Sequence, residues 1–409
     1  MNINKKPLTK LQIFKTLKKI SILGLSSEKI NLYNAYGRIS SSDIISKINI
    51  PPFNNSAVDG YALHKKDIKT KKKLKCAYRI TAGDNKKILL KTGEVARIFT
   101  GACMPKNSNT IVMQENTSSD ENNNVLLKKY SKRGENCRLL GEDVAIGDKI
   151  IKAGEEISAT NINLIAAIGK SHVRVMKKLR IGFFTNGNEL KEPTERLRFG
   201  EINNSNHYSL YSLLNYSFIK SKYLGILPDD RKNIIKQLSN NISKYDVIMT
   251  TGGASVGEED YLINILKELG KLIFWKTAIK PGRPLAFGKI NKTIIICLPG
   301  NPVSVHLLYG MIVRPFFKYL LGSKLLNPRS LIATVNFSMR KKNHRLEWIR
   351  VNIYKKTINS IVVNKYPKQG SGMISSIAFS DGIIEIPENI SQINKGDKFN
   401  FYLFNDLFK

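Results

Sequence analysis

Acidic residues beside glycine and proline turns are the first candidates for chemistry in this sequence. Acids are scarce here, with 32 Asp and Glu against 66 Lys and Arg, so each such position is conspicuous. The segment 51–62, PPFNNSAVDGYA, has two prolines that stiffen the backbone and an Asp59-Gly60 turn that presents a carboxylate. The alternative is a purely structural turn at Asp59.

A second acidic segment, 251–260 (TGGASVGEED), follows an apolar strand pattern and opens a helix pattern. Glycine N–H groups and a helix N-terminus together form an anion site. Three acids would repel a phosphate there, and they fit better if a divalent cation lies between acid and phosphate. The alternative is that residues 258–260 only complement the helix dipole, at about 0.3–1 kcal/mol each.

The same loop also matches the G-x-S-x-G pattern of serine hydrolases, through Gly253, Ser255 and Gly257. His306 or His344 would have to act as the base, and no spacing from an acid selects either one. A single G-x-S-x-G is a weak pattern, so this function has little support.

Two further segments combine cations or rigid turns with a strand end. Lys276 and Lys280 lie beside Pro-Gly-Arg-Pro, which forbids a continuing helix, so both ammonium groups are predicted to converge on an oxyanion. Arg283 adds a guanidinium fork, and a solvated basic loop is the alternative. Residues 298–304, LPGNPVS, predict a rigid pocket wall with Pro302 at the first position of a helix, or a simple turn.

The elements that must position these segments follow from the hydrophobic pattern. Between residues 179 and 321 strands alternate with helices, which predicts a largely parallel sheet that binds ligands beyond the carboxyl ends of its strands. Residues 9–23 predict a helix that begins with a capping box of Thr9 and Gln12. After residue 328, short strands at regular spacing predict a small β-barrel or sandwich.

Composition bounds the class of protein. The chain has 409 residues, 42% of them hydrophobic, which excludes global disorder. The formal charge of +34 would suit nucleic acid, but the basic residues are spread along the chain without a nucleic-acid motif, which favours compositional drift in an A- and T-rich genome. No apolar run approaches the ~18 residues of a membrane helix, and no signal peptide is recognisable. Four scattered cysteines indicate a reduced, cytoplasmic setting.

Seven segments, taken in order, resemble the molybdopterin molybdenumtransferase family, also called the MoeA family, which includes the E domain of gephyrin. They are PPFNNSAVDGYAL (51–63), RIFTGACMP (97–105), GENCRLLGEDVAIGD (134–148), FFTNGNEL (183–190), TTGGASVGEEDY (250–261), FWKTAIKPGRPLAFGK (274–289) and LPGNPVS (298–304). The resemblance spans nearly the whole chain. It implies the last step of molybdenum cofactor synthesis, in which molybdate is inserted into adenylated molybdopterin and AMP is released with the help of Mg²⁺.

The resemblance also implies a multidomain α/β plus β protein. Its parts would be an N-terminal helix and linker at 1–50 packing with 147–177, a β-rich lid domain at 51–146, a central, mostly parallel α/β/α domain at 178–326, and a small C-terminal β-barrel at 327–409. The central domain would be similar to the adenylyltransferase that makes the substrate. The resemblance further implies a homodimer with the site in a cleft between subunits. A molybdopterin adenylyltransferase and acceptor molybdoenzymes are the implied protein partners.

Functional residues of the family carry over to matching positions of this sequence. The resemblance implies catalytic roles for Asp59, Asp143, Glu189, Lys276 and Lys280. It implies substrate contacts from Thr100, Asp229, Gly252, Gly253, Ser255, Asp260, Pro299, Pro302, Arg350 and Ser371, and Mg²⁺ ligands among Asp59, Glu189 and Asp260. Two positions depart from the family pattern, since Asn188 replaces an acid and Asn203 replaces a tyrosine. The alternative function is a non-catalytic, dimeric molybdopterin-binding or scaffold protein of the same fold.

Overall fold

The computed structural model describes residues 6–21, 24, 26–253, 261–342, 344–358 and 360–408. Helix α1 (Lys10–Leu17) has the predicted capping box, because Gln12 N donates to Thr9 Oγ1 and Thr9 N donates to Gln12 Oε1. It ends at Leu17, earlier than predicted. Its apolar face, with Ile13 and Leu17, joins the core of the central sheet. The helix of segment 1–50 therefore packs on the central part of the chain, in a core that Met176 also borders.

Residues 55–138 form a set of β-strands that we call the lid. After β1 (Ser27–Asn31) and β2 (Ile44–Ile45), its strands are β3 (Asn55–Ser56), β4 (Gly60–His64), β5 (Leu74–Ile80), β6 (Glu94–Ile98), β7 (Ser108–Met113), β8 (Thr117–Ser119), β9 (Asn124–Leu127) and β10 (Cys137–Arg138). Six of them form a mixed sheet in the order β7-β4-β6-β5-β9-β8, and β3 pairs with β10. Alternate residues of β4, β6 and β7 fill apolar clusters on opposite faces, as the period of a strand requires.

The elements between residues 149 and 176 pack against the two N-terminal strands, β1 and β2. β11 (Lys149–Ile151) pairs with β2, helix α2 (Ala159–Ala167) follows, and β12 (His172–Met176) pairs with β1. Ile44, Ile151 and Val175 belong to the small core that these elements share. The strands of segment 1–50 thus pack with residues 147–177, and the other domain limits stay predictions.

Residues 179–320 form a central unit in which strands alternate with helices. Its elements are β13 (Leu179–Asn186), β14 (Leu190–Lys191), β15 (Ile202–Asn203), α3 (Ser205–Leu213), β16 (Ile219–Leu227), α4 (Arg231–Asn241), β17 (Val247–Thr251), α5 (Tyr261–Leu269), β18 (Lys271–Trp275), β19 (Ile279–Lys280), β20 (Ala286–Ile290), β21 (Thr293–Leu298), α6 (Pro302–Leu308), a π-helical turn (Tyr309–Val313) and α7 (Arg314–Leu320). The sheet order is β16-β13-β17-β21-β20-β18. The first four strands are parallel, and β20 and β18 continue the sheet antiparallel.

Residues 331–408 build a closed barrel. The elements are β22 (Leu331–Val335), β23 (Met339–Arg340), β24 (Leu346–Lys356), β25 (Ile361–Lys365), α8 (Ser375–Ala378), β26 (Gly382–Ile386), β27 (Gln392–Ile393), β28 (Lys398–Leu403) and α9 (Phe404–Phe408). Five strands run in the order β24-β25-β22-β28-β26, and β26 pairs back to β24. Strand β19 of the central unit pairs with β24, so the two parts share one sheet edge. The described part of the chain contains no helix long and apolar enough to span a membrane.

Candidate anion-binding site

A cavity of about 700 Å³ lies between the central unit and the barrel. Turns 280–284 and 299–304 contribute residues from the central unit, and ranges 339–350 and 365–371 contribute residues from the barrel. Its basic side chains are Lys280, Arg283, Arg340, Lys342, Arg345, Arg350 and Lys365. Among the described lining residues, Glu347 is the only acid. An excess of cations in a concave site favours an anionic ligand.

Lys280 reaches this cavity because its strand is shared with the barrel. β19 pairs in parallel with β24, which sets Lys280 opposite Glu347. Lys280 Nζ lies 2.7 Å from Glu347 Oε1, and Glu347 is only 7% exposed. The pair therefore ties the central unit to the barrel at the cavity wall.

Arg350 places a buried guanidinium in the same wall. The residue is 2% exposed, and its guanidinium donates to Ser376 Oγ at 3.2 Å, Trp348 O at 3.2 Å and Gly370 O at 3.3 Å. Burial lowers the pKa of Arg350 to about 10, although the nearby charge of Glu347 opposes this shift. Arg350 still carries its charge at neutral pH, and its three bonded acceptors are neutral. A bound anion would supply the charge-assisted hydrogen bonds that these acceptors do not.

The loop that carries Ser371 is held in place by Gln369. Gln369 Oε1 accepts from Arg350 N at 3.0 Å, and Gln369 Nε2 donates to Arg350 O at 2.8 Å. Ser371 O accepts from Val303 N at 3.2 Å, which joins this barrel loop to helix α6. The structure thereby brings Lys280, Arg350 and Ser371 to one cavity, although their roles stay predictions.

The turn before α6 forms the opposite wall. Pro299 and Asn301 line the cavity, and Pro302 is the first residue of α6, as the sequence predicts. Pro302 O lies 3.0 Å from His306 Nδ1, and Pro302 is not among the described lining residues. Pro302 thus begins α6 beside lining residues Asn301 and Ser304, and its predicted substrate contact stays a prediction. Ser209 Oγ also contacts the His306 ring, at 3.2 Å from Nε2.

A second polar group, the strand-end cluster, lies where parallel strands β13, β16 and β17 end. It consists of Asn186, Asn188, Asp229, Gly252 and Gly253. Asp229 Oδ1 accepts from Asn186 Nδ2 at 2.6 Å, and Asp229 Oδ2 accepts from Asn188 N at 3.3 Å. Asn188 Oδ1 in turn accepts from Asp229 N at 3.1 Å. The amide at the position that departs from the family pattern thus still supplies the oxygen that holds the loop of Asp229.

The two glycines of the cluster allow a close approach of three loops. Gly252 and Gly253 have φ of +92° and +68°, and a Cβ on Gly252 would lie 2.6 Å from Asn186 O. A Cβ on Gly300 would lie 3.6 Å from Gly252 Cα, so the cluster borders the turn that lines the cavity. The N–H of Gly252 donates to Leu298 O at 3.0 Å. The sheet edge therefore uses the N–H of Gly252, and the predicted substrate contact of the Gly252–Gly253 backbone stays a prediction.

Lys276 and Lys280 do not occupy the same place. Lys280 lines the cavity, whereas Lys276 Nζ lies 4.0 Å from the centroid of the Trp275 ring. Lys276 has a φ of +70°, and this left-handed residue turns the chain between β18 and β19. Lys276 is not among the described lining residues, so the cavity holds only one of the two ammonium groups, and the predicted roles of both lysines stay predictions.

In the lid, the predicted residues Asp59 and Thr100 are bonded to each other. Asp59 Oδ1 accepts from Thr100 N at 2.8 Å and from Thr100 Oγ1 at 2.9 Å. The bond from the Thr100 backbone, then the Thr100 hydroxyl and the charge of Arg97, lower the pKa of the exposed Asp59 carboxyl. Asp143 is exposed, and its N–H donates to Ile50 O at 3.0 Å. None of these three predicted residues is among the described residues that line the cavity.

The predicted metal ligands are only partly described. Glu189 is exposed in the turn after β13, with its carboxylate folded against Gly187. Asp260 and Ser255 lie outside the described residues. Within the described ranges, no three His, Cys, Asp or Glu side chains are grouped as metal ligands.

Several lining residues are absent from the sequence-based prediction. Glu347, Arg345, Lys365 and Gln369 belong to the cavity but lie in no predicted motif, whereas Asn301 lies in the predicted pocket-wall segment 298–304. The basic run at 340–342 is visible in the sequence, and its two outer members line the cavity. Only the folded structure shows that Arg340 and Lys342 share the lining of one cavity with Lys280.

Three sequence models of known families match the chain. The MoeA N-terminal region (domain I and II) matches residues 9–169. The model described as "Probable molybdopterin binding domain" matches residues 182–319, and the MoeA C-terminal region (domain IV) matches residues 333–404.

Known proteins are similar over most of their length. A molybdopterin molybdenumtransferase of Haemophilus influenzae is 32% identical over 382 residues, which cover 93% of this chain and 95% of that protein. A molybdopterin molybdenumtransferase of Nostoc sp. is 33% identical over 305 residues, which cover 72% of this chain and 70% of that protein. The crystal structure of the molybdopterin biosynthesis protein MoeA of Pyrococcus horikoshii matches with a TM-score of 0.84 and 26% identity, over 97% of this chain and 100% of that one.

Proposed function

Because the chain belongs to the molybdopterin molybdenumtransferase (MoeA) family, we propose that it inserts molybdenum into adenylated molybdopterin and releases AMP. The names of its relatives support an enzyme of molybdenum cofactor biosynthesis. The adenylated substrate and the release of AMP both belong to this proposal. The cavity and the strand-end cluster support them.

The cationic cavity is the observation that carries the proposal. Molybdate is a small dianion, and seven basic residues against one acid line the described part of this cavity. Lys280 supplies a point charge paired with Glu347, and Arg350 supplies a buried guanidinium. Ser371 lines the cavity from a neighbouring loop. These residues would hold molybdate while the dithiolene sulfurs of the second substrate replace its oxygens.

The strand-end cluster is the proposed place for the rest of the substrate. Ligands of open α/β sheets bind beyond the carboxyl ends of parallel strands. Asp229 lies at such an end, in the cluster whose Gly252 borders the turn of Gly300. An oxygen of water or molybdate would attack phosphorus, and the bond to the leaving AMP would break. Lys276, over the Trp275 ring, would stabilise the phosphate charge.

Mg²⁺ is the proposed cofactor. This ion is usually held by one or two carboxylates together with substrate phosphates, so a cage of protein ligands is not needed. Exposed carboxylates at Glu189 and Asp59 offer hard oxygen ligands of this kind, with Asp260 as the third candidate. When bound, the ion would neutralise phosphate charge and polarise the phosphorus–oxygen bond.

The lid would complete the site from a second copy of the chain. Asp59 and Thr100 line no part of the described cavity of their own protomer, while the resemblance implies a homodimer with a shared cleft. A molybdopterin adenylyltransferase and acceptor molybdoenzymes are the proposed partners for substrate delivery and product transfer. A scaffold without activity remains the second candidate, and it would need neither the cavity cations nor Asp59.

The test is AMP release from adenylated molybdopterin by the purified protein, with and without molybdate and Mg²⁺. The proposal expects release that depends on both, and its loss in Asp59→Asn and Lys276→Ala. Lys395→Met removes an exposed lysine that is not among the described lining residues, so it controls for the charge lost in Lys276→Ala and should keep activity. No AMP from a folded wild-type protein contradicts the proposal, and substrate binding without AMP release then favours the scaffold.

A further inference from the structure

Glu347 is an exception in the cavity, because it is the only acid among its described lining residues. Its side chain is 10% exposed, and Oε1 is paired with Lys280 Nζ at 2.7 Å. Its other oxygen, Oε2, is buried without a hydrogen-bond partner in the described structure. The carboxylate is therefore desolvated and only half satisfied.

Stability alone does not account for this arrangement. A buried ion pair often contributes no more than a neutral pair of the same shape, and a buried oxygen without a partner costs free energy. Glu385, on the neighbouring strand β26, shows a fully used carboxylate in the same barrel. It contacts Lys10 Nζ at 2.6 Å, and it accepts from Trp348 Nε1 at 2.8 Å and Tyr402 Oη at 3.4 Å. Glu347 lacks such a set, so its position requires another explanation.

The charges around Glu347 supply that explanation. Arg350 is buried among neutral acceptors, and the charge of Glu347 acts on Arg350 and on Arg345 as well as on Lys280. Glu347 is the only acid among the described lining residues that can compensate these cations when no anion is bound. An incoming dianion must take Lys280 from Glu347, or must bind against a like charge a few ångströms away.

We infer that Glu347 is the internal counter-ion of the anion site, which competes with the bound oxyanion for Lys280. It keeps the cations in place between turnovers and lowers the affinity for any dianion. Without this counter-ion the cavity would hold sulfate or molybdate more tightly and release it more slowly. Glu347 makes the binding reversible. This inference rests on the proposed function only in naming molybdate as the dianion.

Calorimetric titration of the full chain with molybdate, and separately with sulfate, tests the inference. Glu347→Gln removes the charge and keeps the shape. The inference predicts about tenfold tighter binding of both anions and a correspondingly slower dissociation. A purely structural role for the ion pair would give weaker binding, because loss of the pair would loosen the cavity wall.

Three further variants separate charge from packing. Glu347→Met removes the charge without leaving a buried polar group, and it must also tighten binding; this variant serves if Glu347→Gln folds poorly. Glu347→Asp keeps the charge and must stay within about twofold of wild type. Glu385→Gln removes an equally buried barrel carboxylate outside the cavity and must leave anion affinity unchanged.

Either of two results overturns the inference. One is unchanged or weaker binding in the folded neutral variants, and the other is a tenfold gain in Glu347→Asp as well. Failure of the proposed function looks different, because the wild-type protein would then bind no molybdate in the cavity or release no AMP. If the wild-type protein binds molybdate tightly and the neutral Glu347 variants bind it no more tightly, only the role of Glu347 is refuted and the proposed function stands.

Discussion

At the scale of single residues, Asp59 shows how a turn prepares a carboxylate for use. Its side chain accepts two hydrogen bonds from Thr100, yet the residue remains exposed. Such bonds stabilise the charged form, which is the form that a cation ligand needs. The structural and functional interpretations of this turn are therefore compatible, since one Asp59 oxygen is held while Oδ2 is left for other contacts.

Thr100→Ala is predicted to raise the pKa of Asp59 toward its ordinary value. The hydroxyl bond disappears while the backbone bond remains, so the shift is partial. Thr100→Ser keeps the hydroxyl and should titrate like wild type. An NMR titration of the Asp59 side-chain carbon measures both, and a lower or unchanged pKa in Thr100→Ala would contradict the assignment of its cause.

Asn188 provides a second residue-scale prediction. Asn188→Ala removes the acceptor of the Asp229 N–H and should lower the free energy of unfolding by about 1 kcal/mol. Asn188→Asp keeps an acceptor but faces the Asp229 carboxylate, so its stability should rise on adding Mg²⁺ more than that of wild type. Thermal unfolding of both proteins with and without Mg²⁺ measures this difference in stabilisation. An equal response of both proteins would argue against a cation at the strand-end cluster.

At the scale of elements, the basic rim of the cavity is anchored by one lysine. Lys341 is 5% exposed, and its ammonium group donates to the carbonyls of Arg345 at 3.1 Å, Glu388 at 3.3 Å and Pro387. Burial lowers the pKa of Lys341, although Glu347 and Glu388 oppose the shift. Because its side chain points into the barrel, the neighbours on either side can line the cavity.

Lys341→Met is predicted to weaken molybdate binding without removing a cavity cation. Three carbonyls lose their donor, so the free energy of unfolding should fall by about 1–3 kcal/mol and the rim should loosen. Lys395→Met, which removes an exposed barrel lysine, is the control for the change of one charge. If molybdate affinity falls equally in both variants, the effect is that of net charge and not of the anchor.

Much of the architecture could be predicted from the sequence at this scale. The alternation of strands and helices in 179–321 and the regular short strands after residue 328 give the parallel sheet and the barrel. The pairing of β19 with β24 could not be predicted, because a two-residue strand has no periodicity and its paired residues lie 67 positions further along the chain. Lys280 is a candidate from its own segment. Glu347 is not, because only this pairing brings it beside Lys280.

At the scale of the whole molecule, part of the formal charge of +34 is concentrated in the cavity. Spread along the sequence, the basic residues resemble compositional drift, yet seven of them meet in one cavity. Three of the seven come from segment 340–345 and two from segment 280–283, so the cavity exists only when the barrel and the central unit are docked. The predicted acids of the lid take no part in it within one chain.

The proposed dimer makes a complementation experiment decisive. Asp59→Asn and Lys280→Ala protomers are each expected to be inactive as homodimers. If the lid of one protomer completes the cavity of its partner, mixed dimers contain one intact site, and random mixing should restore about a quarter of wild-type activity. Unmixed variants at the same total concentration are the control. No recovery, with mixed dimers verified by native mass spectrometry, would place both residues in a site of one chain.

The central claim, that this cavity holds the molybdate, is tested most directly by anomalous diffraction at the molybdenum absorption edge from crystals soaked in molybdate. The account predicts an anomalous peak in the cavity between Lys280, Arg350 and Ser371, which is lost in Arg350→Ala crystals. Molybdenum bound only elsewhere, or a cavity peak that survives this substitution at full height, would contradict it.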